Sequence, residues 1–82
     1  MTPTIANLQS RFNLTFGEAS VLLSIANGGT NAEAAAAANI AEQTVKVHFS
    51  NVCRKLGEKG GSARVRVSLK AWGCEYERPT MG

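Results

Sequence analysis

The sequence has little of what metal-binding and covalent chemistry need. It contains one His and two Cys, Cys53 and Cys74, with no second Cys or His at metal-ligand spacing. Nothing in the chain reads as a paired-carboxylate, nucleophile–base or phosphate-loop arrangement, so an enzyme is not expected and no cofactor is implied. No apolar run approaches the roughly 20 residues that span a bilayer, and the N-terminus lacks a basic segment followed by an apolar one. A cytoplasmic protein that does not enter the membrane is therefore expected. Two thiols in such a setting give little reason for a disulfide; Cys53, on the same helical side as Phe49, reads as a small packed apolar residue.

Positive charge is present, and it is unevenly placed. Residues 1–43 hold one Arg against three Glu, whereas residues 44–82 hold eight Lys or Arg against three Glu. A polyanion is the natural partner for such a basic half. At 82 residues the chain makes one small domain that buries about 60% of its unfolded surface. The hydrophobic fraction is 44%, but six of those residues are an alanine cluster over 32–38, so the usable core is thinner than the fraction suggests.

The most specific stretch is GGTNAEAAAAANIAEQTVKVHFSNVCRKL, residues 28–56. Thr30 with Glu33 forms a capping box that opens a helix after the Gly28-Gly29 break. Asn39 lies where a left-handed residue is needed, and Asn tolerates that conformation better than most non-glycine residues. After a three-residue turn, a second helix runs over about 42–56. Val45, Phe49, Val52 and Leu56 form its core-facing stripe, and Gln43, Lys46, Val47, Ser50 and Arg54 lie opposite. Ala35 is small where the two axes cross. A steep crossing through so short a turn is a helix-turn-helix, which sets its second helix into the DNA major groove.

Residues 12–57 also resemble a family. Leu14, Thr15, Glu18, Val21, Leu22, then Gly28, Thr30, Asn31, Glu33, Ala35, Ile40, then Thr44, Val45, Lys46, His48, Asn51, Lys55, Leu56 and Gly57 are similar to the pattern of the DNA-binding domain of LuxR/FixJ-type regulators. The resemblance implies an all-α bundle of four to five helices containing a helix-turn-helix, with the domain over 13–73. It also implies large aliphatics where this chain has Ala34 and Ala38, and Ser or Thr where it has Ala41. A missing N-cap oxygen costs about 1 kcal/mol, part of which Glu42 recovers through the helix dipole. A closely packed but marginally stable domain is the expectation.

Outside that stretch the pattern is looser. Thr2-Pro3 begins a first helix with Pro at its first position, and Ile5, Leu8 and Phe12 form a weak apolar stripe; residues 1–12 read either as a packed helix or as a linker. Thr15 and Glu18 make another capping box for a scaffold helix that buries Val21, Leu22, Ile25 and Ala26. EKGGSA, residues 58–63, reads as a flexible link, and Arg64 stands two or three positions further from Leu56 than the family's Arg. RVRVSLKAW alternates like a strand, yet Val65, Leu69 and Trp72 also fit helical spacing; a helix is expected, which the resemblance makes the dimer contact. Residues 74–82 read as a frayed tail.

Candidate DNA contacts follow from position. Lys46 and Val47 lie in the first turns of the second helix, where a Lys reaches guanine O6 or N7 and a Val reaches a thymine methyl. Ser50 suits a water or phosphate contact, and Asn51 either a base or phosphate contact or a structural hydrogen bond. Thr44, Arg54, Lys55 and Arg64 suit phosphates, with Thr30 adding another from the preceding helix. His48, beside the core face, is expected to be packed and hydrogen-bonded. The leading expectation is a sequence-specific DNA-binding transcriptional regulator acting as a homodimer. Alternatives are a small protein that binds and inhibits another transcriptional regulator, or a module that works with RNA polymerase. The chain reads as a free-standing regulator or as an output domain from a larger one, its initial Met favouring the first.

Overall fold

The computed structural model describes residues 3–73. Five helices follow one another, with no strand among the described residues: α1 (Ile5–Phe12), α2 (Phe16–Ala26), α3 (Asn31–Ala38), α4 (Glu42–Leu56) and α5 (Ala63–Ala71). The expected tail over 74–82, and Cys74 with it, lies outside the described residues.

Local chemistry sets the boundaries. The helix α1 starts two residues later than Pro3 at its first position would require. Thr4 is the cap, its hydroxyl accepting from the Asn7 amide at 3.1 Å, which leaves Pro3 outside the helix. Thr15–Glu18 and Thr30–Glu33 form complete capping boxes at the starts of α2 and α3. Asn39 closes α3 at φ 57° and ψ 49°, and the Ile40 amide returns to the Ala35 carbonyl at 3.0 Å, a reversed bond of Schellman type. This leaves Asn39, Ile40 and Ala41 to turn the chain into α4. Gly57 ends α4 the same way at φ 72°, with the Glu58 amide bonded to the Cys53 carbonyl at 2.8 Å.

Packing centres on α2, against which all four other helices lie. One buried cluster joins Leu8 of α1, Leu22 of α2, Val52 and Leu56 of α4 and Val67 of α5. A second joins Val21 and Ile25 to Ala34 and Ala35 of α3 and Val45 of α4, and half-buried Phe49 packs against both. The helix α1 packs onto this body. Leu8 is fully buried, and the Arg11 guanidinium donates to the Lys70 and Ala71 carbonyls at 2.7 and 3.1 Å, capping the end of α5.

Residues 63–71 are helical, which removes the strand or wing alternative. Burial of Ala63, Val67 and Ala71 at helical spacing selects that period over the alternating one. Residues 58–62 are also more firmly held than a glycine-rich link suggests, because Glu58 is buried and ion-paired to Arg66 and Lys70 of α5.

Helix α4 lacks a side-chain cap. Ala41 holds the extended cap conformation, φ −72° and ψ 151°, without an oxygen to offer the first-turn amides. Ala41→Ser is expected to stabilise the fold by about 1 kcal/mol, raising the melting temperature by roughly 4–8 °C. A thermal melt that matches the parent would remove the capping deficit from this account.

Candidate nucleic-acid interface

The two sides of α4 do different work. Val45, Val52 and Leu56 are buried, while Gln43, Thr44, Lys46, Val47, Ser50 and Arg54 are exposed. Val47 is 56% exposed, a large aliphatic left in water in the second turn of the helix. The Lys46 ammonium has no hydrogen-bond or ion-pair partner among the described residues. Arg54 bonds only to its neighbour on the same helix, donating to Asn51 Oδ1 at 2.9 Å. Asn51 is half-buried, and that bond gives it a structural role in orienting Arg54.

The other candidates are occupied within the chain. Lys55 Nζ donates to Glu18 Oε1 at 2.7 Å and to the Asn13 carbonyl at 3.3 Å, tying α4 to the start of α2. Arg64 donates to Asn31 Oδ1 at 3.1 Å and the Gly29 carbonyl at 2.9 Å, and its guanidinium lies over the Phe49 ring. The Thr30 hydroxyl accepts from the Glu33 amide. Lys55 and Arg64 thus act as struts between helices in this structure, and Thr30 as a cap.

Electrostatics explain why these acids stay ionised. Burial pushes the Glu18 carboxyl up, but bonds from Lys55 Nζ and from the Thr15 amide outweigh it and hold it below the usual range. Glu33 is also held low, by the amide and hydroxyl of Thr30. Glu58 is lowered to about 2 by its bonds from Lys70 and Arg66, which outweigh its burial. Arg66 Nε lies 2.6 Å and Lys70 Nζ 2.7 Å from its two oxygens, and Lys70 also reaches the Leu56 carbonyl that ends α4. The thiol of Cys53 is pushed up by burial, with Glu58 adding to the effect and Arg66 opposing it.

His48 is packed, but its Nδ1 is buried without a hydrogen-bond partner, so the expected bond is not found at that atom. Its ring lies against Gly17 so closely that a methyl group there would sit 2.9 Å from Cε1 and Nε2. Gly17 is what lets α2 and α4 approach at this point.

Sequence reasoning missed the Glu58 clamp, the Arg11 cap and Lys59. The clamp had a signal: Arg66 and Lys70 are one helical turn apart, with a lone Glu just upstream. Lys59 had none, since its place is set by how the link after α4 folds back. That fold puts Gly57, Lys59 and Gly60 on one wall of an open groove of about 680 Å³, whose other wall is Lys46, Ser50 and Arg54 of α4. Phe49, Cys53, Glu58 and Ala63 also line it.

Two packed helices, a three-residue turn between them and an outward basic face on the second define a helix-turn-helix domain. Comparison with known proteins agrees. The model for bacterial regulatory proteins of the luxR family matches residues 12–68, well over half the chain, and the chain belongs to that family of DNA-binding transcriptional regulators. It is 53% identical over 45 residues, 55% of its length, to the uncharacterized transcriptional regulatory protein YhcZ of Bacillus subtilis. It is 40% identical over 62 residues, 76% of its length, to the nitrate/nitrite response regulator protein NarP of Escherichia coli. The matched parts are 21% and 29% of those relatives, so the chain corresponds to a minor part of each. No solved structure matches the chain significantly. None of the helices among the described residues is long and apolar enough to cross a membrane.

The clamp carries a pH signature. The Glu58 carboxyl is lower in the folded state than in the unfolded chain, so its contribution is fully present above about pH 4.5 and is lost as pH falls through about 2. Glu58→Gln is expected to be less stable than the parent at pH 7, the gap narrowing as pH drops across that window. Urea unfolding at several pH values checks this; a gap independent of pH would contradict the clamp.

Proposed function

We propose that this domain reads a specific DNA sequence by laying α4 in the major groove, acting as a homodimer on a two-fold site. The observation that carries this is the state of the outward face of α4. Lys46, Val47 and Ser50 stand exposed in its second and third turns, and Lys46 is committed to no other contact. In the helix-turn-helix geometry these positions meet base edges, Lys46 as a donor to guanine and Val47 as an apolar contact for a thymine methyl. Ser50 and Thr44 are placed for shorter contacts to phosphate or water, and Arg54, held by Asn51, for a phosphate. Lys55 and Arg64 could serve phosphates only by sharing or releasing their present bonds, so they are secondary.

Dimerisation is supported by the surface of α5. Val65 is 61% exposed, Leu69 is half-buried and Trp72 is 39% exposed, its indole N–H fixed to the Ala26 carbonyl at 2.7 Å. Apolar side chains left in water along one helix suit a self-complementary contact. The relatives' names, transcriptional regulatory protein and response regulator, agree with a role in controlling transcription.

Lys46→Ala is expected to weaken binding to a selected duplex by about 1–3 kcal/mol with an unchanged circular dichroism spectrum, since this side chain supports nothing in the fold. Binding as tight as the parent's would refute the assignment of α4. A tight complex with another regulator and no duplex binding would move the protein to the inhibitor reading. For the dimer, Val65→Glu should shift the sedimentation coefficient from dimer to monomer; a parent that is already monomeric on DNA would end that part of the proposal.

A further inference from the structure

Eight of the nine Lys and Arg residues lie within the described part of the chain, and they divide sharply. Arg11, Lys55, Arg64, Arg66 and Lys70 each bond to groups on another helix or link. The remaining three, Lys46, Arg54 and Lys59, make no such bond among the described residues. All three line the same groove beside α4. Charges that serve the fold are thus separate from charges that do not, and the second set converges on one place.

We infer that this groove holds one sugar–phosphate strand of the bound duplex, with Lys59 gripping a backbone phosphate from the link side and Arg54 facing it from α4. The inference rests on the DNA-reading role of α4. Lys46 and Ser50 are at once the base-reading residues and one wall of the groove, so a strand flanking the major groove passes along it. Its lining has the matching chemistry: cations for phosphate oxygens, Phe49, Cys53 and Ala63 as apolar surface for a deoxyribose, and a single carboxylate, Glu58, already ion-paired to Arg66 and Lys70. Lys59 is also held in place, although its side chain is exposed. Its carbonyl accepts from Arg66, and the adjacent Glu58 is buried with its charge turned to Arg66 and Lys70. Gly60, at φ 95°, takes a left-handed turn that a side chain would resist. Glu58 lines the groove too, and the clamp neutralises its charge with Arg66 and Lys70 while fixing the backbone that carries Lys59.

The test is a salt series of duplex titrations by fluorescence anisotropy, using a duplex selected from a random pool and an unrelated one. Parent, Lys59→Ala, Lys59→Arg and Lys46→Ala are compared. Lys59→Ala is expected to weaken both duplexes by the same factor and to make the log–log salt slope shallower by about one for each protomer bound. Lys59→Arg should restore the slope, and Lys46→Ala should lose the selected duplex preferentially. If Lys59→Ala keeps the parent slope while Lys46→Ala loses the selected duplex, the groove does not hold the strand although α4 still reads DNA. A loss confined to one duplex would also overturn the backbone role. If both alanine variants bind like the parent, the reading of α4 fails and the inference with it.

Discussion

After Phe16, every residue of α2 is buried or half-buried. A helix covered on every side cannot fold on its own account, and every other helix is placed by the need to cover it. That burial decides the position of the reading helix. The Val45–Val52 side of α4 is drawn onto α2, and the opposite side has nowhere to face but outward. Because the core is short of large side chains, close approach replaces bulk. Ala34 is fully buried between α3 and its neighbours, and Gly17 lets the His48 ring lie on the α2 backbone. Small residues at crossings bring axes together, and each contact then depends strongly on its exact residue.

Cations do much of the remaining structural work. Arg11 and Lys70 bond the last carbonyls of α5 and α4, where the helix dipole favours positive charge. Lys55 bridges α4 to the cap of α2, and Arg64 ties α5 to the start of α3. In a domain with so thin an apolar core, charge-assisted bonds between helix ends give definition that packing alone would leave loose. The same residues look, from composition, like a polyanion-binding set. Most of them instead bond from one helix to another helix or link, and the surface whose cations are uncommitted is narrow.

That distinction explains which parts were legible in advance. The capping boxes at Thr15–Glu18 and Thr30–Glu33, the left-handed Asn39 and the uncapped Ala41 are local, each fixed by residues within a few positions. The limits of α3 and α4 follow from them. The outward placement of Lys46 and Val47 follows from helical period, a local rule as well. Glu58 was read as part of a flexible link because its partners lie eight and twelve positions downstream, on a helix whose facing depends on the whole bundle. Residues 64–72 carried two periods at once, and burial of Val67 and Ala71 against α1 and α2 chose between them.

The sequence by itself determined the helices, their caps, the tight turn between α3 and α4 and the basic side of α4, because each depends on backbone geometry and side-chain spacing within a turn or two. Tertiary structure decided which cations are free. Lys55, Arg64, Arg66 and Lys70 meet their carbonyls and carboxylates only when distant helix ends are brought together, and Lys59 joins Lys46 and Arg54 only because the link folds back along α4. A charge pairs with whatever lies nearest in space, because the interaction weakens as the separation grows, and for most of these cations that neighbour is far away along the chain.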